Sequence, residues 1–396
     1  MCAKCKNCFV PCPKFAQPCA IGPDCPDQDP VLRIGITGAN GFLGWHLRAH
    51  LQARKDIQVS TADRSTFSDS ARLREFVSNV DGIVHMAGIN RGTEEEILLG
   101  NVTPAQCLAD ACTAAQVTPH VVFANSIQHE RNTAYALAKR ASAELLERWS
   151  RSSGAPFTNL ILPHLFGEGG RPFYNSAVTT FCHQIAKGEE PKIIVDADLE
   201  LVHAQRVCAR ILALLEAKET GQIRVEGTRV RVSDTIARIK RIADQYASNI
   251  IPDLSTQIDL DLFNTYRSYL YPGQYPVSLT LHSDNRGHLF EAVKSLHGGQ
   301  CFVSTTRPGI TRGNHYHRHK LERFLVVQGE AVIRIRKLLT SDVTQYRVSG
   351  INPSYVDMPA LHTHNITNTG NSDLVTLFWS HEIFNPNAAD TFAESV

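Results

Sequence analysis

Apolar and polar positions follow two different rhythms along this chain. Between residue 31 and about residue 143, short apolar runs recur at Ile34 and Ile36, at 57–61, at 82–88 and at 121–126. Stretches with helix-like spacing separate them. Strands alternating with helices predict a parallel sheet covered on both faces. A further buried strand is expected at 159–162, and core helices at 181–187 and 204–217. From about residue 277 onward the pattern becomes strand after strand with turn residues between, which predicts a small closed β-barrel. The polar, tyrosine-containing stretch 253–274, with the turn Tyr271-Pro272-Gly273-Gln274, reads as the junction. The expected division is 31–265 for the α/β part and 270–396 for the barrel.

Residues 1–30 fit neither rhythm. They hold Cys2, Cys5, Cys8, Cys12, Cys19 and Cys25 together with six prolines. The first four cysteines have the spacing C-x2-C-x2-C-x3-C-P, which matches half of a bacterial ferredoxin cluster site. The second half is missing, and the segment lacks the apolar residues to fold alone. It reads as a disordered tail, with a metal-binding tail and an extension upstream of the true start as competing readings.

The chemistry begins where the first apolar run ends. GANGFLG places Gly38, Gly41 and Gly44 at G-x-x-G-x-x-G spacing between a strand and a helix. Gly38 can supply a turn with φ > 0, Gly41 lets backbone N–H groups approach a phosphate, and Gly44 lets the helix sit close to the sheet. The helix N-terminus would face a pyrophosphate, with Asn40, Phe42 and Leu43 in the same turn. After the second strand come Asp63, suited to the ribose hydroxyls of NAD, and Arg64, suited to the 2′-phosphate of NADP. Ala87 and Gly88 end the third strand and let the backbone pass close to a cofactor. Ser126 ends the fourth. Tyr135 and Lys139 follow, one helical turn apart on one face. A lysine ammonium near a phenol lowers the phenol pKa, and a serine hydroxyl can hold a carbonyl oxygen.

GANGFLG, HMAG, Ser126 and the Tyr135/Lys139 pair resemble the extended short-chain dehydrogenase/reductase superfamily, over about residues 31–250. The resemblance implies a Rossmann-like, doubly wound parallel sheet, with Ser126, Tyr135 and Lys139 as the catalytic set. Asn125 stands where that family often has serine, and His203-Ala-Gln-Arg206 replaces its usual V-x-x-Asp turn. The loop 162–176, LPHLFGEGGRPFYNS, corresponds to the region that closes over nicotinamide and sugar diphosphate. It offers Arg171, Tyr174 and Asn175 as substrate-binding candidates.

The barrel carries Gly309-x5-His315-x-His317-x4-Glu322-x6-Gly329 and Pro359-x4-His364-x3-Asn368. His315 and His317 alternate on one strand and point to one side. Three imidazoles and a carboxylate, His315, His317, Glu322 and His364, make a divalent metal site that suits Zn, Fe, Ni or Mn. These resemble the two cupin motifs, with Leu361 where the second usually has glycine. His319 and His362 are expected outside the set of ligands.

Reductase followed by cupin resembles the bifunctional nucleotide-sugar enzymes of capsule and O-antigen synthesis. That resemblance implies a UDP-linked 4-keto-6-deoxy-HexNAc substrate, inversion of C3 by the cupin with one divalent metal, zinc first, and reduction of the C4 ketone with NADPH. The product would be UDP-2-acetamido-2,6-dideoxy-L-talose, on the route to UDP-L-FucNAc, in a homodimer joined through the cupin. The alternative is a nucleotide-sugar 4-epimerase or reductase whose cupin serves only dimerisation. A net charge of +1 offers no field for nucleic acid or an acidic membrane surface. No window has 18 uninterrupted apolar residues and no signal-peptide h-region is visible, so a cytoplasmic enzyme is expected.

Overall fold

The computed structural model describes residues 31–285 and 287–396, so the cysteine-rich stretch lies outside the described residues. The chain runs β1 (Leu32–Thr37), α1 (Phe42–Leu51), β2 (Ile57–Ala62), α2 (Arg64–Phe67), α3 (Ser70–Ser78), β3 (Gly82–His85), α4 (Glu94–Ala115), β4 (His120–Ser126), α5 (Ala134–Ser153) and β5 (Phe157–Leu162). It continues through β6 (His164–Phe166), α6 (Ala177–Ala186), β7 (Asp198–His203), α7 (Ala204–Ala217), β8 (Gly221–Arg224), β9 (Thr228–Arg231), α8 (Val232–Ala247) and α9 (Gln257–Ser268).

Six strands form one sheet in the order β2-β1-β3-β4-β5-β8, and every pairing in it is parallel. The apolar runs read from the sequence are its buried strands: Ile34, Ile36, Ile83, Val84, Val121 and Val122 are all fully buried. On one face they meet Leu43, Leu47 and Leu51 of α1 and Val207, Ile211 and Leu214 of α7. On the other they meet Leu73, Phe76, Leu108 and Leu146 of α3, α4 and α5. Each such aliphatic side chain contributes about 1.5–3 kcal/mol by leaving water. The strand order reverses at β1, which leaves a crevice outside the C-terminal ends of β1 and β3, where open α/β sheets bind ligands.

The second half holds two five-stranded antiparallel sheets. One contains Gln300–Thr306, Leu374–Ser380, Glu322–Gln328, Ser354–Met358 and Val277–Ser278; the other contains Val343–Ser349, Glu330–Lys337, His362–Asn368, Thr311–Tyr316 and Phe392–Ala393. Phe324, Val326, Ile333, Ile335, Ile366 and Phe378 fill the space between them. Gly287–Leu289 forms a small hairpin with His282–Asp284, and the chain then leaves regular structure.

The stretch 253–274, read as a polar junction, contains a buried helix instead. Residues 259–267 of α9 are all buried despite their polarity. Their polar groups have partners: Asp259 takes Arg238 at 3.0 Å, Asn264 donates to the His319 carbonyl at 2.9 Å, and Arg267 donates to the Met358 carbonyl at 3.3 Å. A helix wedged between two domains needs no apolar stripe with a polar back, so its sequence does not show the amphipathic period. The domains also meet along α1, where Trp45 and Ala49 pack against Tyr316, Leu338, Ala360 and Leu361. Beside them Lys337 lies over the Trp45 ring at 4.3 Å.

Candidate functional site

The crevice at the sheet edge is a backbone cradle. Gly38 has φ +70°, and a Cβ there would meet the backbone of Met86 and Ala87 at 2.8 Å. The β1 and β3 loops therefore touch, fastened by Thr37 Oγ1, which accepts the Met86 and Ala87 N–H groups at 3.2 Å. A Cβ on Gly44 would lie 2.3 Å from the Gly38 carbonyl, and one on Gly88 would lie 2.2 Å from Asn101 Oδ1. Gly41 is the N-cap of α1 and supplies no side-chain acceptor, so the first N–H groups of the helix are left for a ligand. Asn40 and Gly41 are exposed, Phe42 half-buried, and Leu43 and Gly44 buried. This arrangement fits a dinucleotide pyrophosphate.

At the end of β2, Asp63 is the N-cap of α2. Its Oδ1 accepts from the Thr66 N–H at 2.9 Å and the Ser65 hydroxyl at 2.7 Å. Those hydrogen bonds lower its pKa to about 2. Arg64 begins the helix with its side chain exposed.

Ser126 ends β4, half-buried, and its Oγ accepts the Gln128 N–H at 3.2 Å. The Asn125 Oδ1 accepts the Ser126 N–H at 2.8 Å. Tyr135 and Lys139 lie on the first turns of α5, whose N-cap is Thr133. Lys139 is fully interior: its Nζ donates to the Ala124 carbonyl at 2.9 Å and sits 5.8 Å from the Tyr135 ring centre. The expected lowering of the phenol pKa by the lysine is not what this geometry gives. Burial pushes Tyr135 up to about 12 and Lys139 down to about 8. At neutral pH the phenol keeps its proton, as a donor to a carbonyl oxygen must.

Of the substrate-loop candidates, Arg171 and Tyr174 come together, with the guanidinium 5.2 Å from the ring centre, while Asn175 is exposed beside them. Sequence reasoning missed Arg91 of the β3–α4 loop, whose guanidinium also lies over the Tyr174 ring, 4.6 Å from its centre. It also donates to the carbonyls of Phe173 and Tyr174. His203, flagged as a departure from the family turn, is buried against Glu168 at 3.1 Å. Burial alone would lower the His203 pKa, but the Glu168 carboxylate outweighs it and raises it to about 9.

The barrel brings its four predicted ligands together. One donor atom from each of His315, His317, Glu322 and His364 lies within 4.8 Å of the others. Glu322 Oε2 is 2.9, 3.6 and 3.7 Å from Nε2 of His317, His364 and His315. All three Nε2 atoms are buried without a well-formed hydrogen bond. Two of the opposite ring nitrogens are engaged: His317 Nδ1 donates to the Asp390 carbonyl at 2.5 Å and His364 Nδ1 to the His362 carbonyl at 3.2 Å. Burial works against the Glu322 charge, yet the three imidazoles that face it hold its carboxyl far below the usual range. Burial lowers His364 to about 4, so it stays neutral, as a ligand must. Orphaned nitrogens converging on a carboxylate are a donor set that fits a divalent cation. His319 and His362 lie outside this cluster. Lys320, which spacing did not mark, has its ammonium 2.8 Å from Glu322 Oε1. A cavity of about 300 Å³ opens onto His315, Lys320 and Glu322, with Phe302, Glu382 and Phe384 on its walls.

Fold and sites together are matched by known proteins. The NAD-dependent epimerase/dehydratase family matches residues 34–226, and the polysaccharide biosynthesis C-terminal domain matches residues 282–392. This defines an α/β reductase-type domain joined to a polysaccharide-biosynthesis β-domain. The UDP-2-acetamido-2,6-β-L-arabino-hexul-4-ose reductase of Pseudomonas aeruginosa is 32% identical over 370 residues, 92% of this chain and 99% of that protein. The chain belongs to that reductase family. The capsular polysaccharide assembling protein CapF of Staphylococcus aureus is 33% identical, with a TM-score of 0.61 over 92% of this chain and 100% of that one. CapF with the inhibitor 3-isopropenyl-tropolone is 31% identical, with a TM-score of 0.56 over the same shares. No helix among the described residues is long and apolar enough to cross a membrane.

Proposed function

We propose that this chain reduces the C4 ketone of a UDP-linked 4-keto-6-deoxy-HexNAc with NADPH, after its cupin has inverted C3. The product is UDP-2-acetamido-2,6-dideoxy-L-talose, on the route to UDP-L-FucNAc. The carrying observation is that a dinucleotide cradle and a buried three-histidine, one-carboxylate cluster occupy one chain, in a family whose named member reduces a 4-ketohexulose.

In the reductase site, NADPH bound at Gly38, Asn40, Gly41, Phe42, Leu43, Gly44, Ala87 and Gly88 supplies the hydride. Arg64 would meet the 2′-phosphate, since one Asp63 oxygen is already taken up in capping α2. The Ser126 hydroxyl orients the ketone. Tyr135 donates its proton to the oxygen as the alcohol forms, and Lys139, held at the end of β4, supports the charge left on the phenol. Arg171, Tyr174 and Asn175 hold the nucleotide sugar.

In the cupin, a divalent metal held by His315, His317, Glu322 and His364 supplies Lewis-acid polarisation of a keto oxygen, which makes a neighbouring proton acidic. The inhibitor named with CapF is a tropolone, whose adjacent oxygens form a bidentate metal-binding pair, and this supports the same reading. A homodimer through the cupin is part of the proposal. Gln300–Thr306 is a sheet edge with Phe302 and Val303 exposed, near exposed Ile383 and Phe384. Such an edge is normally covered.

Incubating the protein with the UDP-4-keto-6-deoxy-HexNAc in D2O, with and without NADPH, tests both halves by NMR. Deuterium enters C3 without cofactor, and a new alcohol appears only with it. Reduction without any exchange at C3 instead supports a reductase whose cupin only dimerises.

A further inference from the structure

We propose that Asp390 is a positioning residue for the histidine cluster, holding from the C-terminal end of the chain both the turn between two ligand strands and the ring of His317. The inference rests on the reading that His315, His317, Glu322 and His364 bind a divalent cation.

Residues 318–321 carry the chain from His317 to Glu322. Three successive N–H groups of that turn converge on the buried Asp390 carboxylate. Arg318 donates at 3.0 and 3.1 Å, His319 at 2.9 Å and Lys320 at 2.8 Å. Consecutive amides around one anion form a rigid concavity, so the carboxylate sets the path of the backbone between the two ligands. The same residue acts through its main chain. Its carbonyl accepts from His317 Nδ1, which leaves Nε2 as the nitrogen that faces Glu322. A ligand ring fixed through its far nitrogen is a recurring device for tuning a metal site.

The surroundings make this more than a turn cap. Asp390 lies on the wall between two cavities: the one of about 300 Å³ at His315 and Glu322, and one of about 440 Å³ between the domains, lined by His50 and His203. Its neighbour Thr391 has its hydroxyl 3.3 Å from the Lys320 ammonium. From the turn itself, Arg318 reaches across the domain boundary and donates to the His50 carbonyl of α1 at 2.7 Å. The turn is thus gripped by Asp390 on one side and by the dinucleotide-binding domain on the other.

The test compares wild type with Asp390→Asn, which keeps the shape but removes the charge and turns one acceptor into a donor. Zn²⁺ affinity is read by competition with a chromogenic chelator, and geometry by the visible spectrum of bound Co²⁺. Asp390→Asn is expected to keep the wild-type near-UV circular dichroism, bind Zn²⁺ about 10–100-fold more weakly, and show an altered Co²⁺ spectrum. Asp390→Glu, which retains the carboxylate, is expected to regain part of the affinity. Wild-type affinity and spectrum in Asp390→Asn overturn the proposal. So does loss of the folded β-domain in that variant, which assigns Asp390 a structural role alone. A wild-type chain that binds neither ion overturns the metal reading itself, and the inference with it.

Discussion

The two candidate sites are built on opposite plans. The reductase site lies at the open edge of a sheet and consists of loop backbone, one helix N-terminus and three side chains. Lys139 donates to a main-chain carbonyl and the Tyr135 phenol is buried. The histidine cluster lies in the antiparallel β-domain, where three imidazoles already face one carboxylate and the outer nitrogens of His317 and His364 are already fixed. The first plan leaves the charge balance to be completed by cofactor and substrate. The second prepays the cost of orienting donors when the barrel folds. On the proposed function, hydride transfer would bring its own reactive group, whereas removing a carbon-bound proton would require an environment that is ready beforehand.

Removing a group from either site should separate the two. Tyr135→Phe is expected to cut NADPH oxidation by about 10²–10⁴-fold, the usual worth of a positioned proton donor, while deuterium exchange at C3 continues. Equal loss of both activities would end the separation. Glu322→Ala is the reciprocal change: Zn²⁺ affinity falls by more than about 100-fold and C3 exchange stops. Reduction of a sugar already inverted at C3 persists, as followed by NMR.

The seam between the regions carries its own signature. His203→Gln breaks a buried pair and is expected to destabilise the chain by about 3 kcal/mol in chemical denaturation. The folded pKa of Glu168 is below its ordinary value, so its share is present above about pH 4.5 and lost as pH falls through about 2. That of His203 is raised, so its share is complete below about pH 6.5 and lost as pH rises through about 9. The gap between wild type and variant should therefore be widest between these limits and narrow toward alkaline pH.

Smaller effects probe the cradle. Gly44→Ala pushes a methyl group onto the Gly38 carbonyl at 2.3 Å and should cost about 2 kcal/mol of stability with weaker NADPH binding. Arg64→Ala should raise KM for NADPH about tenfold and leave KM for NADH unchanged, the size of one lost charge-assisted bond to phosphate. Equal change for both cofactors would remove Arg64 from the 2′-phosphate site.

Much of this was legible in the residue order. The strand runs, the glycine spacing and the two histidine motifs are local, because a turn with positive φ or two imidazoles on one strand are properties of a few neighbouring residues. Hence Gly38, Gly44, His315 and His317 stand where their spacing implied. The helix α9 was not legible, since its polar residues are satisfied by partners far along the chain, such as Met358 and His319. Nor were Arg91, which meets Tyr174 only through loop packing, and Asp390, whose partners lie about seventy residues earlier. The sequence by itself determined which groups could do chemistry, because periodicity and backbone freedom are short-range. Only the tertiary structure decided which nitrogen of His317 faces the cluster, where the Lys139 ammonium rests and how the two domains grip each other, because burial and long-range hydrogen bonds exist only once the chain has closed on itself.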